Sequence, residues 1–338
     1  MTEIRRSDSA EPGYGRRRHG TGFTYLGTDG ERLDDETSLD RIRELVIPPA
    51  WDDVWICADP LGHLQATGRD EAGRKQYLYH ERWRELRDQE KFEHIEEFAQ
   101  LLPDVRRRVA RDLDPGNPNR ESVLACAVRL LDLGSFRIGS EDYADEYGTY
   151  GLATVRKEHV VVRDDEIVFD YPAKHSKQRL LTLRDPDACA LLKTLRRRRS
   201  GGPELLAYRH RRTWHEIRSE DINGYIHELA GEPFSAKDFR TWNATLLAAG
   251  ALAVWEAEHG DGGDRAAASR HACEVTAGVL GNTPAVARSA YIDPRLLERF
   301  EAGTSLEGAL AAFDDGRRDV FSAREQLELA VLDVVAGT

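Results

Sequence analysis

The stretch GNTPAVARSAY, residues 281–291, is typical of one helix ending and a second, short helix beginning at once. Gly281 suits a helix C-cap because glycine adopts a left-handed backbone without steric cost. Thr283 and Pro284 suit the N-cap and the first position of the next helix. Tyr291 ends that helix and, beside Asn282, is a candidate nucleophile. A packed aromatic ring with a tethered hydroxyl is the commoner role for such a tyrosine.

Composition sets the class of protein around this stretch. The chain has 338 residues and a net charge of −12, with no apolar run long enough to span a membrane. We expect two domains, no secretory signal and no membrane partner. The cysteines are far apart, which predicts reduced thiols in a cytoplasmic protein rather than a metal site or disulfides. The negative net charge weakly disfavours nucleic acid, although binding depends on where the arginines lie.

The N-terminal part predicts a small β-rich domain. We expect a disordered tail over residues 1–20, a β-rich domain over residues 21–90 and a mainly helical domain over residues 91–338. Within the β-rich domain, the segment GRKQYLY combines cations with an amide and two tyrosines. It predicts a DNA-facing strand that uses Lys75, Gln76, Tyr77 and Tyr79. An ordinary exposed strand with paired aromatic rings is the alternative.

Two arginines and a lysine occupy unusual positions in the second domain. Arg137 follows an apolar helix and lies between Phe136 and Ile138, so it requires an anion, either a carboxylate or a phosphate. Period-two patterns over residues 152–163, 166–171 and 179–183 predict a three-stranded antiparallel sheet, with Lys174 in its second hairpin. Residues 187–260 are expected to be helical, and Arg240 lies in the first turn of a helix that suits phosphate binding. Residues 295–338 are expected to be helical and acidic.

Familiar nucleotide and metal motifs are missing from the sequence. There is no GxxxxGK[ST], HExxH or GxGxxG pattern and no convincing set of Cys and His ligands. We therefore expect no cofactor and no metal. The remaining chemistry is directed at phosphate, and it involves Arg137, Lys174, Arg240, Asn282 and Tyr291.

Taken together, the motifs resemble the type IB DNA topoisomerases of the poxvirus-like and bacterial group. They occur in order across most of the chain: GRKQYLY at residues 73–79, FRIG at 136–139, YGLATVRKEHV at 150–160, PAKHSK at 172–177, KDFRTWNAT at 237–245 and LGNTPAVARSAYI at 280–292. The resemblance implies an α+β protein. A small β-rich N-terminal domain would accompany a mainly α-helical catalytic domain of the fold shared by tyrosine recombinases and type IB topoisomerases.

The resemblance also implies a mechanism and a partner. A monomer would clamp double-stranded DNA, and Tyr291 would form a transient 3′-phosphotyrosine while the nicked duplex swivels, without ATP or metal. Arg137, Arg240 and Asn282 would contact the non-bridging oxygens, and Lys174 would protonate the leaving 5′-oxygen. The expected location is the cytoplasm, at the nucleoid.

Two alternatives are weighed against this interpretation. Poxvirus members have histidine where this chain has Asn282, which removes any acid-base role for that side chain. A tyrosine site-specific recombinase uses a similar catalytic set, but it usually has His-x-x-Arg where this chain has Lys237-Asp238-Phe239-Arg240. A non-catalytic DNA clamp would be favoured by a missing arginine or tyrosine, and none is missing.

Overall fold

The computed structural model describes residues 3–174, 177–260, 263–306 and 320–337. The chain divides into two units, Met1–Glu93 and His94–Thr338. The boundary between them lies inside helix α2 (Glu81–Asp112). Over the described ranges, no helix is long and apolar enough to cross a bilayer.

The first unit is built on a five-stranded antiparallel sheet with strand order β2-β1-β3-β4-β5. Its strands are β1 (Tyr14–His19), β2 (Gly22–Leu26), β3 (Asp52–Ile56), β4 (Leu64–Arg69) and β5 (Lys75–Tyr79). Helix α1 (Glu36–Glu44) packs Ile42 into a core with Ile56. Asp35, rather than the expected Ser38, caps α1, because the Asp35 carboxylate accepts a hydrogen bond from the backbone N–H of Ser38.

The predicted disordered tail is wrong for Tyr14–His19, which form β1. This strand pairs with both β2 and β3, so it lies inside the sheet. The Arg16 guanidinium donates hydrogen bonds to the carbonyl oxygens of Ile47, Pro48 and Trp51 at 3.1, 3.0 and 2.6 Å. A polar, arginine-rich composition suggested a solvated tail, but these arginine contacts depend on residues more than thirty positions away.

The second unit is mainly helical and contains the predicted three-stranded antiparallel sheet, which confirms the α+β class. The strands are β6 (Val160–Arg163), β7 (Glu166–Ala173) and β8 (Lys177–Arg184), and a 3-10 turn (Lys157–His159) precedes them. The first strand is shorter than expected. Leu152 and Ala153 instead donate backbone hydrogen bonds to Arg137 and Ile138 at 2.9 and 2.7 Å.

The helices of this unit surround that sheet in sequence order. They are α3 (Arg120–Gly134), α4 (Glu141–Tyr147), α5 (Pro186–Arg197), α6 (Ser219–Ala230), α7 (Ala236–His259), α8 (Arg265–Leu280), α9 (Pro284–Ala290), α10 (Pro294–Glu301) and α11 (Val320–Ala336). The expectation that residues 187–260 are helical is wrong at one place. The strands β9 (Ala207–His210) and β10 (Thr213–Glu216) form a hairpin there. Its side chains do not alternate in polarity, so the strand period was hidden.

Helices α3 and α7 form the centre of this core, and both are buried over most of their length. The side-chain amide of Asn243 on α7 donates to the carbonyl oxygens of Leu131 and Asp132 at 3.2 and 2.8 Å. These bonds hold the last turn of α3 beside the first turns of α7. The arrangement brings Arg240 next to the loop that follows α3.

Four charged side chains form a buried cluster that joins α2, α3 and α11. Arg106 donates to Asp132 at 2.8 and 3.0 Å and to Glu328 at 2.6 and 2.7 Å. Arg324 donates to Asp132 at 2.8 Å and to Glu328 at 2.9 Å. The two carboxylates balance the two guanidinium groups, as burial of charge requires. We call this set the charge cluster.

Candidate active site

The loop carrying Arg137 starts where α3 stops. Ser135 has a left-handed backbone with φ of 49°, which turns the chain directly after Gly134. Gly139, also left-handed, packs against Gly151 so closely that a Cβ on Gly151 would lie 2.4 Å from the Gly139 backbone. The loop therefore has little freedom, and Arg137 emerges from it half-buried at a defined position.

Arg240 projects from the first turns of α7, which begins with a capping box between Ser235 and Asp238. The side chain is only 3% exposed. Its Nη1 donates to the carbonyl oxygen of Ser135 at 2.5 Å, and its Nη2 donates to that of Leu280 at 2.6 Å. Burial lowers the pKa of Arg240 to about 10, and neighbouring Arg137 acts in the same direction. An anion bound here would remove that penalty.

Asn282 is positioned by the end of α8. Gly281 takes the left-handed backbone expected of a C-cap, with φ of 66°, and the N–H of Asn282 then bonds back to the carbonyl oxygen of Ala277 at 3.0 Å. The Asn282 Oδ1 accepts a 2.6 Å hydrogen bond from Nη2 of Arg137. Because arginine can only donate, this bond settles which end of the amide is oxygen. The Nδ2 atom is buried and has no partner.

Tyr291 stands at the C-terminal end of α9, as predicted. Thr283 caps α9 through its side chain and Pro284 takes the first turn, which confirms both assignments. The Tyr291 ring is half-buried and its centre lies 5.2 Å from the guanidinium carbon of Arg240. The backbone is held from α7, because the Thr245 hydroxyl bonds to the Tyr291 carbonyl oxygen at 3.4 Å and accepts from the next-but-one N–H at 3.1 Å.

Lys174 lies at the end of β7 and is exposed. It lines a narrow cleft together with Arg137, Lys177, Arg179 and the last turn of α8. The neighbouring His175 and Ser176 of the PAKHSK motif lie outside the described residues. The structure thus groups Arg137, Arg240, Asn282 and Tyr291 in direct contact, with Lys174 on the wall of the adjoining cleft.

Arg179 is a member of the site that the sequence analysis did not select. It lies on β8 at an inward-facing position, on the same side as Leu181 and Leu183. Its Nη1 donates to the carbonyl oxygen of Val279 at 2.8 Å, and its Nη2 donates to that of Gly134 at 2.8 Å. An arginine at an apolar position of an alternating strand was the available signal.

Unpaired donors and an excess of positive charge characterise the assembled site. Nε of Arg179, Nε of Arg240 and Nδ2 of Asn282 are all buried without a hydrogen-bond partner. Across the described ranges, the ion pairs do not include Arg137, Arg179 or Arg240. Buried donors and cations normally have partners. A tetrahedral anion with several acceptor oxygens fits these unfilled positions.

The four expected DNA contacts lie on β5 in the first unit, and the strand separates them by face. Lys75, Tyr77 and Tyr79 are exposed on one face, where the tyrosine rings stack 6.2 Å apart and the Lys75 ammonium lies 5.5 Å from the Tyr77 ring. Gln76 is half-buried on the other face, and its amide donates to the Asp70 carboxylate at 2.9 Å. The structure therefore brings together three of the four residues.

Comparison with known proteins gives matches along most of the chain. Residues 80–304 match the family described as the catalytic core of eukaryotic DNA topoisomerase I, and residues 22–70 match the N-terminal domain of bacterial DNA topoisomerase IB. The DNA topoisomerase 1B of Acanthamoeba polyphaga mimivirus is 29% identical over 297 residues, which are 85% of this chain and 87% of that protein.

Two eukaryotic relatives match over shorter regions. DNA topoisomerase 1 of Schizosaccharomyces pombe is 28% identical over 164 residues, covering 48% of this chain and 19% of that protein. DNA topoisomerase 1 of Daucus carota is 23% identical over 206 residues, covering 59% of this chain and 25% of that protein. The family match spans more than half of the chain and contains all five residues expected to perform the chemistry. The chain belongs to the type IB DNA topoisomerase family and is an isomerase that acts on DNA.

Proposed function

We propose that Tyr291 cleaves one strand of duplex DNA and that the neighbouring cations stabilise the reaction. The Tyr291 phenol oxygen attacks a backbone phosphorus and loses its proton. A bond forms from that oxygen to phosphorus, the bond from phosphorus to the 5′-oxygen breaks, and the 5′-oxygen takes up a proton. Supercoils relax by rotation about the intact strand. The observation that carries this proposal is the set of unpaired buried donors beside Tyr291.

Arg137 and Arg240 are proposed to bind the non-bridging oxygens of the phosphate. Guanidinium groups present fork-shaped pairs of donors that match two such oxygens. The carbonyl oxygens of Ser135 and Leu280 hold the Arg240 guanidinium before the phosphate arrives. A fixed donor stabilises the additional charge of the transition state without reorganisation.

Asn282 is proposed to add one further donor. Its Oδ1 is occupied by Arg137, so its free Nδ2 is the atom that can bond to a phosphate oxygen. An amide cannot become a cation, and its contribution is therefore a neutral hydrogen bond. Arg137 has two roles in this scheme, because it binds the phosphate and also orients the amide.

Lys174 is proposed to protonate the leaving 5′-oxygen. An alkoxide is a poor leaving group, and a positioned general acid is typically worth ~10²–10⁴ in rate. The side chain is exposed at the end of β7 and lines the cleft beside Arg137. Its flexible four-carbon stem allows the ammonium group to approach the 5′ side of the phosphate.

The exposed face of β5 is proposed to contact the duplex as part of a monomeric clamp. Lys75 carries a charge for the phosphates, and Tyr77 and Tyr79 offer flat surfaces to the groove or backbone. Gln76 can read a base edge only if its amide leaves Asp70, so its contribution depends on that exchange. We also propose that the protein works at the nucleoid in the cytoplasm.

Plasmid relaxation tests the proposal directly. The purified chain is incubated with negatively or positively supercoiled plasmid in EDTA without ATP. We expect relaxation of both, because the phosphotyrosine retains the energy of the broken bond for reclosure. Tyr291→Phe keeps the ring and should bind DNA without forming a covalent adduct. An absolute requirement for ATP or Mg²⁺ would contradict the proposal, as would adduct formation by Tyr291→Phe.

A further inference from the structure

Arg179 contacts both of the segments that carry the proposed phosphate-binding groups. Its Nη2 bonds to the carbonyl oxygen of Gly134 at 2.8 Å and lies 3.4 Å from that of Ser135, at the end of α3. Its Nη1 bonds to the carbonyl oxygen of Val279 at 2.8 Å, at the end of α8. These two segments are far apart in sequence, and one guanidinium group joins them.

Arg240 joins the same two segments from a different element. Its bonds go to the carbonyl oxygens of Ser135 and Leu280, at 2.5 and 2.6 Å. The carbonyl groups held by Arg179 on β8 are thus the same as, or next to, those held by Arg240 on α7. Two arginines on opposite sides therefore fix the distance between the end of α3 and the end of α8.

The joined segments continue directly into the site. Arg137 lies two residues beyond Ser135, and Asn282 lies two residues beyond Leu280. The 2.6 Å bond between Arg137 and Asn282 forms where the segments leave the two arginines. A change in the separation of the segments would alter that bond, because so short a connection transmits displacement almost fully.

Stability alone does not account for an arginine at this position. The inward side of β8 otherwise carries Leu181 and Leu183, which pack into or against the core. The Arg179 guanidinium is held there by carbonyl groups and is flanked by the like charge of Arg137. Burial lowers the pKa of Arg179, while Tyr171 acts in the opposite direction. A leucine would avoid this desolvation cost.

We propose that Arg179 is a positioning residue for DNA cleavage, which holds the Arg137 loop against the end of α8 so that Arg137 and Asn282 bind one phosphate together. The inference rests on the proposed roles of those two residues. Arg179 acts through them, so its removal should slow the reaction without removing the nucleophile. Arg179→Gln should lower the single-turnover cleavage rate by about 10- to 100-fold, as an error of about 1 Å in placement can.

The experiment uses the full chain and a duplex oligonucleotide, and it measures the rate of covalent adduct formation and the affinity for DNA. We expect Arg179→Gln to cleave slowly and to bind DNA nearly as well as the unchanged protein. Arg179→Lys should recover part of the rate, since one ammonium group can reach one of the carbonyl groups. The matched control is Arg184→Gln on the same strand, where Arg184 is exposed and paired with Glu166. It should leave the rate unchanged.

A double-variant comparison separates positioning from a general loss of structure. If Arg179 acts through the Arg137–Asn282 pair, Arg179→Gln should slow an Asn282→Ala protein far less than it slows the unchanged protein. Equal slowing in both backgrounds, or an unchanged rate in Arg179→Gln, would overturn the inference. Loss of folding in both Arg179→Gln and Arg179→Lys would also overturn it, by assigning Arg179 to stability. Failure of the unchanged protein to form any adduct would instead refute the proposed function.

Discussion

Removal of the Glu328 charge should destabilise the second unit strongly. Glu328 accepts hydrogen bonds from Arg106 at 2.6 and 2.7 Å and from Arg324 at 2.9 Å, and its carboxylate is 8% exposed. In Glu328→Gln, the two buried guanidinium groups share only Asp132. Breaking a buried pair by removing one partner typically costs about 3–5 kcal/mol.

Urea unfolding measures this loss. With a slope of about 3 kcal/mol per molar urea, a loss of about 3 kcal/mol lowers the unfolding midpoint by about 1 M. Tryptophan fluorescence suits the assay, because buried Trp242 lies with its Nε1 3.4 Å from Glu328. The matched control is Glu166→Gln, which removes the partner of exposed Arg184 in the same unit. Exposed pairs contribute about 0–1 kcal/mol.

A second variant tests whether charge balance is the cause. The pair Arg106→Met and Glu328→Leu removes one charge of each sign and leaves Arg324 paired with Asp132 at 2.8 Å. We expect this double variant to be more stable than the sum of its two single changes predicts. The reasoning is refuted if Glu328→Gln loses no more than Glu166→Gln, or if the two single losses simply add.

Three further predictions concern chemistry, DNA contact and acid. Lys174→Ala should slow cleavage of ordinary DNA by about 10²–10⁴-fold and regain most of that rate when sulfur replaces the 5′-bridging oxygen. Arg240→Ala should not, and equal defects on both substrates would exclude Lys174 as the acid. Tyr77→Ala should weaken DNA binding in a titration yet leave adduct formation at saturating DNA intact, and loss of the chemistry alone would contradict this. Burial acts to raise the pKa of Asp132, but Arg324 and Arg106 outweigh it, and the pKa is lowered from the ordinary 3.8. Its contribution to stability should therefore be full above pH 3.8 and decline in acid below that value, which an Asp132→Asn protein measured between pH 5 and 2 should not show.

Local signals in the sequence were sufficient for the elements around the nucleophile. Gly281, Thr283 and Pro284 each act within a few residues, because caps and first turns depend on neighbouring backbone groups. The same is true of the three-stranded sheet, whose side chains alternate in polarity. These parts of the fold followed from rules that need no distant partner.

Long-range contacts explain what the sequence did not reveal. Tyr14–His19 form a strand because distant segments accept it into the sheet, and the carbonyl partners of Arg179 are 45 and 100 residues away. Gln76 was grouped with Tyr77 and Tyr79 by motif, although strand alternation alone turns it to the opposite face. Motif order identifies which residues belong to a site. It does not identify the residues that hold them apart or together.

The charge cluster has a consequence for the timing of biosynthesis. Arg106 and Asp132 are 26 residues apart, so they can pair early, whereas Glu328 is 222 residues beyond Arg106. At about 5–20 residues per second, a ribosome needs about 10 to 45 s to add the chain between Arg106 and Glu328. During that interval the nascent protein contains the Arg137 loop, and after most of it also Tyr291, without the α11 side chains that complete the cluster. A translation pause before Glu328 would therefore leave Arg106 without its second carboxylate and expose the chain to proteases and chaperones.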